Sequence, residues 1–105
     1  MRDDILGFLG LMRRAGKLGT GEEGTRQAVR AGKAMLILCA EDASENAKKR
    51  AADFAAHAGV PFVCLDEKKA VLAGAIGVAG GSMFAVCDAG FAKALQNKLQ
   101  GSREE

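Results

Sequence analysis

The residues best equipped for chemistry lie in one stretch, KLGTGEEGTRQAVR, residues 17–30. A glycine-rich turn leads there straight into a helix that the apolar spacing predicts from about 22 to 31. The first turn of a helix presents unpaired backbone N–H groups and the positive end of the helix dipole, so it suits a phosphate. Cations flank it: Arg13, Arg14 and Lys17 come before, Arg26, Arg30 and Lys33 along and after. Set against Glu22 and Glu23, these six give residues 13–33 a local charge of +4, larger than the +2 of the whole chain. Arg and Lys in such a place supply the sequence-independent part of nucleic-acid affinity. The carboxylates and Gln27 can hydrogen-bond base edges. The charge pattern alone fits a solvated helix face better.

Other chemistry has poorer material. The single histidine, His57, falls near the end of an expected helix beside Gly59, where it fits a C-terminal dipole contact better than a general base. No Ser–His–Asp or Cys–His arrangement can be built on it without assuming much about the fold. The expectation is a protein without catalytic residues, metal or cofactor, and with no small-molecule substrate. Cys39, Cys64 and Cys87 each sit in an apolar, strand-like run, form no CxxC pair and are odd in number. That reads as buried reduced thiols in the cytoplasm. The glycines at 74, 77, 80 and 81 lack a following GK[ST] and open onto a strand, which excludes a phosphate-binding P-loop. They read as a tight turn whose backbone can approach a ligand closely.

These residues need a scaffold. At 105 residues the chain is expected to be a single domain, 1–105, with a core that needs no staples. No run approaches the ~20 apolar residues of a membrane span, so no membrane partner is expected. Apolar residues at 5, 6, 9 and 12 predict a first helix capped by Asp3 or Asp4. The run MLILCA, 35–40, reads as a strand buried on both faces. Asp42 and Ser44 can cap a third helix running through Ala58, with Ala47, Ala51, Phe54 and Ala55 inward. A second buried strand is expected at 62–65, a short helix capped by Asp66 near 68–75, and a third strand at 83–87. Asp88 can cap the last helix, ahead of a frayed tail at 101–105, and residues around Leu18 can add an edge strand. Helices alternating with buried strands imply a three-layer α/β/α sandwich around a mixed four-stranded sheet.

Three segments carry a family resemblance: GLMRRAGKLGTGEE, MLILCAEDAS followed by NAKKR, and LAGAIG before the third strand. Over residues 10–99 the chain resembles the L-seven-Ae superfamily of ribosomal proteins, above all its small bacterial members of the YlxQ type. The resemblance implies an α/β/α sandwich that binds kink-turn RNA without catalysis, in association with the ribosome or translation. Structured RNA of the kink-turn kind, ribosomal RNA included, is the implied partner.

The family recognition helix begins Gly-x-Asn-Glu-x-x-Lys. Here Gly21 takes the glycine, Glu23 the Asn place, Gly24 the Glu place and Gln27 the Lys place. A second register, starting at Gly19, puts Glu22 on the family Glu. The implied RNA-binding set is Gly21, Glu22, Glu23, Gly24, Arg26, Gln27 and Arg30, with Arg13, Arg14 and Lys17 on the backbone. Ile76, Gly77, Val78 and Ala79 follow from the family's second loop. Because neither register keeps Asn, Glu and Lys together, an adaptor that keeps the fold and has lost RNA binding is the rival reading.

Overall fold

The computed structural model describes residues 2–104 in backbone and 4–100 in side chain. In chain order the elements are α1 (Arg2–Arg14), β1 (Leu18–Thr20), α2 (Gly21–Arg30), β2 (Leu36–Cys39), α3 (Glu45–Ala58), β3 (Phe62–Cys64), α4 (Lys69–Ile76), β4 (Met83–Val86) and α5 (Ala89–Glu104). One mixed sheet runs in the order β1-β4-β2-β3. β4 is antiparallel to both neighbours and β2 is parallel to β3. The carboxyl ends of β1, β2 and β3 therefore lie at one end of the sheet, beside the start of β4.

The continuous apolar runs explain the layering. All four residues of β2 and of β4 are buried, because strand side chains alternate between faces and both faces are covered. Leu36, Leu38, Phe84 and Val86 point to α1, α4 and α5, where they pack with Leu9, Met12, Leu72 and Leu95. Ile37, Cys39, Met83 and Ala85 point to α2 and α3 and meet Ala28, Ala51 and Ala55. The first face is built mostly from large side chains, and the second mixes Ile37 and Met83 with many alanines.

Several local expectations change. α1 already runs from Arg2, so Asp4 lies inside it and pairs with Lys98 Nζ at 2.9 Å instead of capping. The side chain of Asp3 lies outside the described residues. β3 is an edge strand, half-buried rather than enclosed. Ser44 caps α3 by accepting the Ala47 N–H at 3.0 Å. Asp42 reaches across to α4, where it accepts the Lys69 N–H at 2.8 Å. Asp88 accepts the Phe91 N–H at 2.9 Å, as a cap of α5 should. Helix α5 continues through the expected frayed tail as far as Glu104.

Candidate functional site

α2 starts abruptly because Gly21 allows it. Its φ of 76° lies in the left-handed region that glycine occupies without strain. Just before it, Gly19 packs so closely on the helix that a Cβ there would stand 2.8 Å from the Gly24 carbonyl oxygen. The strand-to-helix corner thus depends on two bare backbones in contact. The Thr20 side chain makes no capping hydrogen bond, although Thr20 holds the N-cap position. The N–H groups of the first turn receive no side-chain cap, unlike those of α3.

The second segment comes to the first. The loop at residues 77–82 begins beside Arg13, whose Nη1 is 3.9 Å from where a Gly77 Cβ would be. It ends at Gly81, whose Cβ position is 3.4 Å from the Gly21 backbone. Two pieces sixty residues apart in sequence share one edge of the sheet, at the carboxyl ends where open α/β sheets take their ligands.

Within the loop, Ile76 departs from expectation. It is the last residue of α4 and only 4% exposed, so its side chain belongs to the core and not to the surface of the loop. Val78 is half-buried and packs on the same core. Ala79 and Gly77 are exposed.

The basic residues do not gather into one patch. Arg26, expected on phosphate, is drawn to Glu22 at 3.0 Å and to Glu23 at 2.5 Å, with its guanidinium 5.8 Å from the centre of the Phe54 ring. These i,i+4 and i,i+3 spacings favour the pairing because such residues share a helix face. Glu22 is also held by Arg50 Nε of α3 at 3.1 Å. Glu23, with a side chain 65% exposed, is the more accessible carboxylate, and Gln27 Nε2 donates to it at 3.4 Å. Lys17 lies at the far end of β1, where its carbonyl accepts the Cys87 N–H at 2.8 Å. That is roughly 13 Å from Gly21 at the rise of an extended chain.

Arg30, in the last turn of α2, opens together with Arg26 onto a cleft of about 450 Å³ between α2 and α3, shared with Arg50, Asp53, Phe54 and His57. The α3 members recur at spacings of three and four, which put them on one helix face. That spacing, with the NAKKR run, was the available signal for this second basic surface. Arg13, Arg14 and Arg30 are exposed, Gly24 is half-buried against Gly19, and Gly21 and Glu22 are half-buried.

A sequence profile of the Ribosomal protein L7Ae/L30e/S12e/Gadd45 family matches residues 3–96. The chain belongs to this family. Among its relatives, the RNA-binding protein YlxQ of Enterococcus faecium is 38% identical over 100 residues, covering 95% of each chain. The RNA-binding protein YlxQ of Bacillus subtilis is 39% identical over 92 residues, covering 88% of this chain and 91% of its own. A solved structure of a protein of unknown function from Bacillus halodurans superposes with a TM-score of 0.78 at 33% identity. It covers 89% of this chain and 93% of its own. The five helices and mixed four-stranded sheet agree with the L7Ae fold. Among the described residues, no helix is long and apolar enough to cross a membrane.

Proposed function

We propose that this protein binds structured RNA with a kink-turn-like bend, in the cytoplasm and in association with the ribosome or translation. The observation that carries the reading is the contact of Gly81 with Gly21, which joins the start of α2 to the α4–β4 loop in one continuous edge. Membership of the L7Ae family and the names of its YlxQ relatives support RNA as the partner.

In this arrangement the N–H groups at Gly21 and along the first turn of α2 approach phosphates. Glu23 accepts from a base edge, and Gln27 hydrogen-bonds beside it. Arg13 and Arg14 hold backbone on the loop side, and Arg30 does so further along α2. Gly77, Val78 and Ala79 offer a small apolar surface to an unpaired nucleotide. Arg26 is held by both glutamates and Glu22 also by Arg50, so their part is to fix the position of Glu23.

A titration with a kink-turn RNA and a straight duplex of equal length tests the reading. The expected result is tighter binding to the kinked RNA, with affinity falling as salt rises because phosphate contacts release counterions. Equal affinity for the two removes shape recognition. No binding to either would favour the adaptor reading.

A further inference from the structure

Cys39 and Cys64 are direct register partners on the parallel strands β2 and β3. Their side chains lie on the same face, with the two Sγ atoms 2.7 Å apart. Cys39 is buried and Cys64 is exposed on the edge strand. All three cysteines are free thiols, but the expectation that all are buried holds for Cys39 alone. The third, Cys87, is half-buried and points its thiol to the Ala85 carbonyl oxygen at 3.6 Å, away from the pair.

We propose that Cys39 and Cys64 form a reversible oxidation site that closes an intrachain disulfide when a hydroperoxide reaches Cys64. The strands already hold the sulfurs in contact, so the bond requires a small adjustment and no rearrangement of the sheet. Burial, with the neighbouring sulfur as a second cause, pushes the Cys39 thiol up to about 12. Cys39 therefore waits as a protonated thiol while the exposed Cys64 meets the oxidant.

The Cys64 thiolate attacks the peroxide O–O bond, gives a sulfenic acid and releases hydroxide, which its own former proton turns into water. The Cys39 sulfur then attacks the sulfenic sulfur. The S–S bond forms as the S–O bond breaks, and the departing hydroxide takes the Cys39 proton. Two thiols lose two electrons and two protons, and one hydrogen peroxide becomes two waters. A dithiol or glutathione reverses the reaction. The closed bond would fasten the edge strand β3, otherwise joined by three register pairs, to the centre of the sheet.

The test uses the reduced full chain, treated with a small excess of hydrogen peroxide and then assayed for thiols, intact mass and non-reducing peptide map. The expected result is a fall from three thiols to one, a mass lower by two hydrogens, and a peptide pair linked through Cys39 and Cys64. Dithiothreitol should restore all three. Cys87→Ser should behave the same way, with one thiol fewer throughout. Cys64→Ser, a change at an exposed position that leaves the core intact, should retain both remaining thiols under the same treatment. Adduct or sulfinic acid at Cys64 with Cys39 left reduced, or linkage between two chains, would overturn the proposal. Because thiols are read and not RNA, the outcome stands independently of RNA binding.

Discussion

Helices α2 and α3 leave the same end of the sheet, yet their first turns are built in opposite ways. At α3, Ser44 closes the start by accepting the Ala47 N–H at 3.0 Å. At α2, Thr20 makes no capping hydrogen bond and the chain enters through a left-handed glycine. A capping oxygen satisfies orphan N–H groups and contributes typically ~1 kcal/mol to stability. Without one, those groups lack a side-chain acceptor and need a partner from elsewhere. The contrast teaches that a helix start can be closed by a side chain, as at α3, or left without one, as at α2, and under the proposed function the second form is the one that meets RNA.

The largest expected effect comes from breaking the α2 corner. Gly19→Ala would place a Cβ 2.8 Å from the Gly24 carbonyl oxygen, a backbone atom that cannot yield without moving the helix. We expect a loss of about 1–3 kcal/mol in stability, as for overpacking, together with weaker RNA binding. Urea unfolding and an RNA titration measure the two. Normal stability with normal binding would mean that the close contact of the two glycines has no part in either.

Ala79→Glu separates the two roles on the recognition side. Ala79 is exposed, so the melting temperature should not change. RNA affinity should fall at least tenfold, about 1.4 kcal/mol, because a carboxylate then faces phosphate. Val78 is a poorer place for this test since it packs on the core. A folded variant with full affinity would confine the RNA surface to α2.

The two helix starts can also be exchanged in effect. Ser44→Ala should cost about 1 kcal/mol of stability and leave RNA binding as it was. Thr20→Asp should do the reverse, adding a few tenths of a kcal/mol, roughly, while placing a carboxylate on the N–H groups that would meet phosphate in the proposed complex. Unfolding curves and titrations on the pair form a cross. If both substitutions move only stability, the open start of α2 is not a binding feature.

The smallest effect concerns Asp42, the cap that α4 borrows. The Lys69 N–H holds its carboxyl below the usual carboxylate range. A carboxyl lowered on folding contributes stability that is complete above its unfolded value of about 3.9, and loses it as pH falls through the lower folded value. Asp42→Ala should therefore be less stable than the parent at neutral pH by a constant margin. That margin should shrink below about pH 4. A margin independent of pH down to acid unfolding would assign the effect to packing.

Much of the fold follows from period and punctuation. The run MLILCA reads as a strand covered on both sides, and its middle, Leu36–Cys39, is one, because consecutive apolar residues leave no polar face to turn to water; Met35 at its start is exposed. Glycines at 21, 32, 59 and 77 mark helix boundaries, and each adopts a positive φ. Local pattern failed where the neighbours decide. Residues 62–65 read as an interior strand, but the sheet order makes β3 an edge. Ile76 read as a loop contact, but one more residue of α4 turns it into the core.

The sequence by itself determined the alternation of helices and strands, the family, and the glycine turn that opens α2. These depend on backbone freedom and apolar period, which are local properties. Tertiary structure alone decided what meets what. It sent Lys17 to the far end of β1, gave Arg26 to the two glutamates and Arg30 to a cleft shared with α3, and set Cys39 against Cys64. Charge counted along a chain carries no direction. Position in the sheet and helix phase assign each charge and each thiol to its neighbour, and both are fixed only when the strands pair.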